Sequence, residues 1–263
     1  MNRQPIVAGQ FYPDNPQELF ALVKTFLQGE PSQEFTKLAM VPHAGYIYSG
    51  KTCGKTLASA KLGSTILLLG PNHTGRGKSL ALWPNGAWLF PGGKLHVNSD
   101  LSSKLTRAGI ELDYDAHLFE HSLEVILPFL FQLNPNTTIL PLCVAEPDLG
   151  RLQKTATLIA DILSPHQVSI VVSSDLNHYQ DQQTTLDKDN LALQKVIELD
   201  PVGLVQAVYE HQISMCGILP MFLGLSIAKL WQAQKAWVVE HCTSGDVNRD
   251  FSQVVGYAGV IVV

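Results

Sequence analysis

Three short, mainly apolar runs constrain this chain most: Leu38-Ala39-Met40-Val41, Thr65-Ile66-Leu67-Leu68-Leu69 and Val168-Ser169-Ile170-Val171-Val172. A strand covered on only one face alternates apolar and polar residues. A continuous, partly β-branched run of four to six residues reads instead as a strand covered on both faces. Helix-like segments separate the runs, and repeated strand–helix order predicts a mostly parallel sheet between two helical layers, a three-layer α/β sandwich. Each run gives way to a turn that carries a histidine: Pro42-His43-Ala44-Gly45, Gly70-Pro71-Asn72-His73 and Ser174-Asp175-Leu176-Asn177-His178. Ligands of open α/β sheets bind beyond the carboxyl ends of the strands. His43, His73 and His178 are therefore expected to meet around one metal ion or one substrate.

The remaining elements follow from the same reading. A helix is expected over 49–60, with Ser49 as its N-cap, and another over 99–108. Residues 79–97 read as turns between short extended pieces. Residues 120–133 read as a helix with Leu123, Ile126, Leu127, Leu130 and Phe131 on one face, bent or limited by Pro128. Residues 138–144 read as a strand and 148–163 as an amphipathic helix. The stretch 184–230 reads as helices broken at Asp200-Pro201 and near Ser214. Segments 235–242 and 254–263 read as the closing strands. No repeat, low-complexity tract or linker divides the sequence, so 1–263 is expected to be one domain.

Composition excludes several classes. Hydrophobic residues make up 46% and charged residues 16% of the 263 positions, which argues against disorder and coiled coil. The formal net charge is −5 with no basic block, so nucleic acid is not an expected partner. The N-terminal residues do not read as a signal peptide, and the apolar stretch 215–230 holds Pro220 and Lys229 and is short for a membrane span. A cytoplasmic protein with no membrane partner is the expectation. Cys53, Cys143, Cys216 and Cys242 form no CxxC pair and are expected to be reduced, small core residues, Cys216 and Cys242 being the two that could lie near a site.

Gly45-Tyr46-Ile47-Tyr48-Ser49-Gly50-Lys51-Thr52 matches the GxxxxGK[ST] phosphate loop, and Val171-Val172-Ser173-Ser174-Asp175 looks like the strand and aspartate that accompany it. No glycine lies between the flanking pair, and the reading leaves His73 and His178 without a role. A nucleotide binder is thus the remote alternative. For a metal held by two of these histidines, the candidate third ligands are Asp175, Asp246, Glu240 and the thiol of Cys242. Asp175 could instead orient a histidine ring. His121 and Glu124 could face the cleft from the start of their helix, and His117 reads as a surface residue.

Pro42-His43-Ala44-Gly45-Tyr46, Gly70-Pro71-Asn72-His73, Glu120-His121-Ser122-Leu123-Glu124 with Leu127-Pro128-Phe129, Ser173-Ser174-Asp175-Leu176-Asn177-His178-Tyr179, Thr243-Ser244-Gly245-Asp246 and Val255-Gly256-Tyr257-Ala258-Gly259 together resemble the Memo family. Its prokaryotic members are called AmmeMemoRadiSam system protein B. The resemblance runs through nearly the whole chain in the same order. The family is similar in structure to the class III extradiol, LigB-type dioxygenases. This implies a LigB-dioxygenase-like sandwich with a metal at the strand ends. It also implies His43 and His73 as metal ligands and His178 as an acid/base group; on the residue reading, Asp175 would orient a ring nitrogen and His121 or Glu124 would position the substrate. Animal Memo proteins place a cysteine among the ligands near the C-terminal motif. This chain offers Val247 or Asp246 there, so Asp246 becomes the implied third ligand. Fe(II) is the implied ion, with Cu or Zn as alternatives. The implied function is a non-haem metal redox or dioxygenase-type site acting on an unknown small molecule. The alternative is a non-catalytic metal- or partner-binding protein using the same cleft. The prokaryotic name implies a radical SAM enzyme and an AMMECR1-domain protein as partners.

Overall fold

In the computed structural model, which describes residues 1–163 and 167–263, the first helix, α1 (Pro16–Phe26), is capped by Asn15, whose side chain accepts the N–H groups of Gln17 and Glu18. Then come β1 (Leu38–Val41), α2 (Tyr46–Ala58), β2 (Thr65–Gly70), β3 (Leu80–Leu82), β4 (Ala87–Phe90), β5 (Gly93–Val97), α3 (Ser99–Arg107) and α4 (Asp115–Leu118). A 3-10 turn (Glu124–Ile126) runs into α5 (Leu127–Leu133), followed by β6 (Thr138–Val144), α6 (Leu149–Leu163), β7 (Val168–Ser173) and β8 (His178–Gln180). The chain closes with α7 (Gln182–Ile197), α8 (Pro201–Glu210), α9 (Ile218–Leu230), β9 (Ala236–Thr243), α10 (Gly245–Asn248) and β10 (Val254–Val262).

The strands form one sheet in the order β4-β5-β6-β2-β7-β1-β10-β8, with β3 paired to β6 and β9 to β10. The centre, β5 to β1 along that order, is parallel. β10 runs antiparallel to β1, β8 and β9. Every residue of β1, β2 and β7 is buried, as their mainly apolar runs require. Their side chains divide alternately between two cores. Leu38, Met40, Leu67 and Leu69 pack with α6 and α9 residues such as Leu152, Ile159 and Leu223. Ala39, Val41, Ile66 and Leu68 pack with Leu19 of α1, Leu57 of α2 and Phe129 of α5. The architecture is therefore the expected three-layer α/β sandwich.

Several boundaries differ from the sequence expectation for local reasons. α2 begins at Tyr46 with Gly45 at the cap; Ser49 lies inside the helix and donates to the Ala44 carbonyl. Residues 120–123 are not helical. The Glu120 carboxylate accepts the Ser122 N–H at 2.9 Å, and such a local bond competes with the helical ladder. Pro128 then falls in the first turn of α5, where its missing N–H leaves no bond unmade. Asp148, Asp181 and Asp200 cap α6, α7 and α8, and the α8–α9 break lies at 211–217. β8, three residues long, was not expected. Among the described residues no helix is long and apolar enough to cross a membrane.

Candidate metal centre

β2, β7 and β1 are adjacent and parallel, with Val41 opposite Ser173 and Leu69 opposite Val172. The turns after them therefore open at one edge. The His43, His73 and His121 rings gather there. His43 lies 5.2 Å from His73 and 5.5 Å from His121, centroid to centroid, and His73 lies 5.1 Å from His121.

Hydrogen bonds decide which nitrogens are free. The Ser173 hydroxyl donates to the Ser122 carbonyl at 2.7 Å, so its oxygen accepts the His43 Nδ1–H at 2.7 Å. That leaves His43 Nε2 as a lone pair, 3.4 Å from Cys216 Sγ and 4.0 Å from Asp175 Oδ2. Burial first, then the nearby His73 and His121, hold the His43 ring well below the usual imidazole range, so it is neutral. His73 Nδ1–H donates to Glu120 Oε1 at 2.9 Å, and its backbone N–H donates to Oε2 at 2.6 Å. Burial alone would raise the Glu120 carboxyl. The His73 ring and the Ser122 and His73 N–H groups outweigh it and hold the carboxyl at about 2. The same carboxylate overcomes the burial of His73 and shifts that ring above its ordinary value. A carboxylate behind the far nitrogen is the usual support of a metal-binding histidine.

Cys216 reaches the edge from the loop before α9. The next residue, Gly217, donates its N–H to Ser174 Oγ, and a Cβ there would collide with the Ser174 side chain. Cys216 Sγ accepts the Asp175 N–H at 3.3 Å. Burial and the Asp175 charge push its thiol up. A neutral imidazole beside a protonated thiol is not an activated nucleophile, whereas a bound cation would favour the thiolate.

Among the described residues, His43, His73 and Cys216 form one group whose ligand atoms lie within 4.8 Å of one another; His73, Glu120 and His121 form another. Ring orientation separates them. An imidazole binds an ion in its own plane. The His43 and His73 planes cross at 74° and can share a point, whereas His73 and His121 are stacked at 18°. Both oxygens of Glu120 are also already occupied. The first group fits a metal ion in this arrangement, and His121, backed by Phe11 at 4.8 Å, remains at the rim. Burial lowers the His121 ring below its ordinary value.

His178 opens β8, opposite Val255 of β10. Its N–H donates to Ser214 Oγ at 2.7 Å and its Nδ1–H to the Ser214 carbonyl at 3.0 Å. Its Nε2 makes no hydrogen bond among the described residues. Asp175 Oδ1 accepts the His43 N–H at 2.8 Å, and burial raises its carboxyl.

The family profile described as Memo-like protein matches residues 3–261. The chain belongs to the Memo family. A MEMO1 family protein of Sulfurisphaera tokodaii is 36% identical over 99% of both chains. One from Aquifex aeolicus is 36% identical over 98% of both. The crystal structure of an uncharacterized protein from Escherichia coli K12 covers 86% of this chain and 99% of its own, with a TM-score of 0.59 at 11% identity. That likeness shows a shared fold.

Other expected residues of this Memo chain lie elsewhere. Asp246 accepts the Thr243 N–H at 2.8 Å in the first turn of α10 and belongs to neither ligand group. It follows β9, which β10 separates from β1. Glu240 pairs with Lys55, and Cys242 Sγ lies 3.2 Å from Thr52 Oγ1. Glu124 is wholly buried and accepts from Ile6, Val7, Tyr12 and Arg3. His117 is also wholly buried, with Nε2–H donating to the Ala81 carbonyl. The Gly45–Thr52 stretch forms no phosphate cradle: the Tyr46 N–H bonds Phe11, and those of Tyr48 and Ser49 bond Gly45. Sequence reading did not assign a role to Glu120. Its one signal was a carboxylate directly preceding His121.

Proposed function

We propose that this chain is a metal-binding protein in which His43 Nε2, His73 Nε2 and Cys216 Sγ hold a metal ion, redox-active iron or copper before zinc. The observation that carries the reading is the arrangement of the lone pairs. Ser173 and Glu120 hold the Nδ1 atoms, leaving the Nε2 lone pairs, and the two imidazoles and the sulfur each offer a ligand atom within 4.8 Å of the others. Imidazole and thiolate donors together suit iron, copper and zinc. When bound, such an ion supplies Lewis acidity and electron transfer to a small molecule at its remaining positions. His178, with its tautomer set by Ser214, accepts a proton at Nε2 from that molecule. His121 offers a neutral ring at the rim, and Asp175 keeps the His43 and Cys216 loops together.

The test is elemental analysis of untagged protein purified without air, for the wild type, His43→Ala and His73→Ala. Near-stoichiometric metal in the wild type and its loss in both folded variants are expected. A wild type without metal after reconstitution with iron, copper and zinc in turn would overturn the reading.

A further inference from the structure

Among the described residues, 3–12 join the sheet only through an isolated bridge from Arg3 to Trp88, yet Arg3 is 1% exposed. Its guanidinium spans the segment 117–124. Nε donates to the His117 carbonyl at 2.9 Å, one terminal nitrogen to the Glu120 carbonyl, and the other to the Glu124 carboxylate at 2.6 Å. The guanidinium lies 4.4 Å from the Trp88 ring centroid. Glu124 returns the connection by accepting the Ile6 and Val7 N–H groups and the Tyr12 hydroxyl. Further along, Phe11 packs on the His121 ring, and its carbonyl accepts the Tyr46 N–H, three residues past His43.

The segment held this way has no regular structure between α4 and the 3-10 turn. Its internal backbone bonds are long, 3.3 Å from Glu120 to His117 and from Val125 to His121. An irregular segment takes its position from outside anchors. Arg3 supplies a planar fork matched to two carbonyls and a carboxylate, which a lysine cannot reproduce. The segment carries Glu120, whose carboxylate sets the His73 tautomer.

We propose that residues 3–12 act as a strap that sets the geometry of the metal centre, with Arg3 the positioning residue that holds Glu120 against His73 Nδ1 and Phe11 the ring that holds His121. The proposal rests on the reading of His43, His73 and Cys216 as metal ligands. Arg3 touches neither the ligand atoms nor the space between them; it acts through Glu120.

The experiment is a Co(II) titration of the metal-free full-length protein against a competing chelator, with visible spectra and thermal unfolding recorded for each variant. Arg3→Lys keeps the buried charge and loses the fork. It should bind Co(II) about tenfold more weakly, as is usual when the support behind a ligand is lost, and its cobalt bands should shift. In a Glu120→Gln background the same substitution should add almost nothing. Equal affinity and spectra in Arg3→Lys and the wild type would overturn the proposal, and so would a loss that simply adds to that of Glu120→Gln. If Arg3→Lys does not fold, Phe11→Leu decides: shifted cobalt bands support the strap, and unchanged bands with unchanged affinity reject it. A wild type that binds no Co(II) would remove the metal reading itself, which is a separate result.

Discussion

Glu120 grips His73 twice, once at the ring Nδ1 at 2.9 Å and once at the backbone N–H at 2.6 Å. The carboxyl, held at about 2, remains a charged acceptor through the neutral range and keeps the proton on Nδ1. The nitrogen left for an ion is therefore Nε2, which is also the one a second proton would occupy.

Metal uptake is expected to weaken as pH falls. Glu120 and Asp175 favour the charged His73 ring, whose titration lies above the ordinary 6.5, and the Cys216 thiol is raised as well. Both must lose protons to become ligands. Calorimetric titrations in two buffers of different ionisation enthalpy should show proton release on binding. Affinity that does not change between pH 6 and pH 8 would contradict this.

Cys216→Ser and Asp246→Asn should behave oppositely. The first removes the sulfur 3.4 Å from His43 Nε2; the cobalt-substituted protein should lose its sulfur-to-metal charge-transfer band and most of its affinity. The second disturbs only a bond to the Thr243 N–H and should leave both unchanged. Metal loss in Asp246→Asn with Cys216 intact would restore the carboxylate as ligand.

Glu124→Gln should act on stability. It would leave the Arg3 charge without its buried partner, a change that costs about 3–5 kcal/mol. Urea unfolding should show that loss, and replacing Arg3 and Glu124 together by apolar residues of similar volume should recover much of it. A fully stable Glu124→Gln would mean that the pair holds little of the fold together.

His117 makes the metal-free fold acid-sensitive. Burial lowers its pKa to about 4 from 6.5, with Arg3 acting in the same direction and the Ala81 carbonyl opposing. Between those values the unfolded chain takes up a proton that the native ring does not, so stability falls as pH falls. The contribution is about 3 kcal/mol, constant above 6.5 and fully lost below 4. Urea midpoints at pH 7 and pH 4.5 for the wild type and His117→Leu measure it. The variant should show the shallower pH slope, and equal slopes would refute the assignment.

The central strands were legible because a strand buried on both faces is mostly apolar, and β1, β2 and β7 are, their buried Thr65, Ser169 and Ser173 being hydrogen-bonded. Caps and breaks were legible at Asp148 and Pro201 because they depend on neighbours in sequence. The 120–133 helix was not: the Glu120 carboxylate binds the Ser122 N–H and faces His73, and apolar spacing does not report that. His117 shows the same limit, since its ring bonds a carbonyl 36 residues away.

Local patterning alone thus determined the three-layer sandwich and the delivery of His43 and His73 to one strand edge. Both depend on apolar periodicity and on where each run stops. Which third donor stands beside His43 was decided by tertiary structure. β10 lies between β1 and the strand leading to Asp246, while the glycine after Cys216 lets its loop close over Ser174. Strand order and loop crossing are set by packing between distant segments, and the spacing of residues along the chain does not encode them.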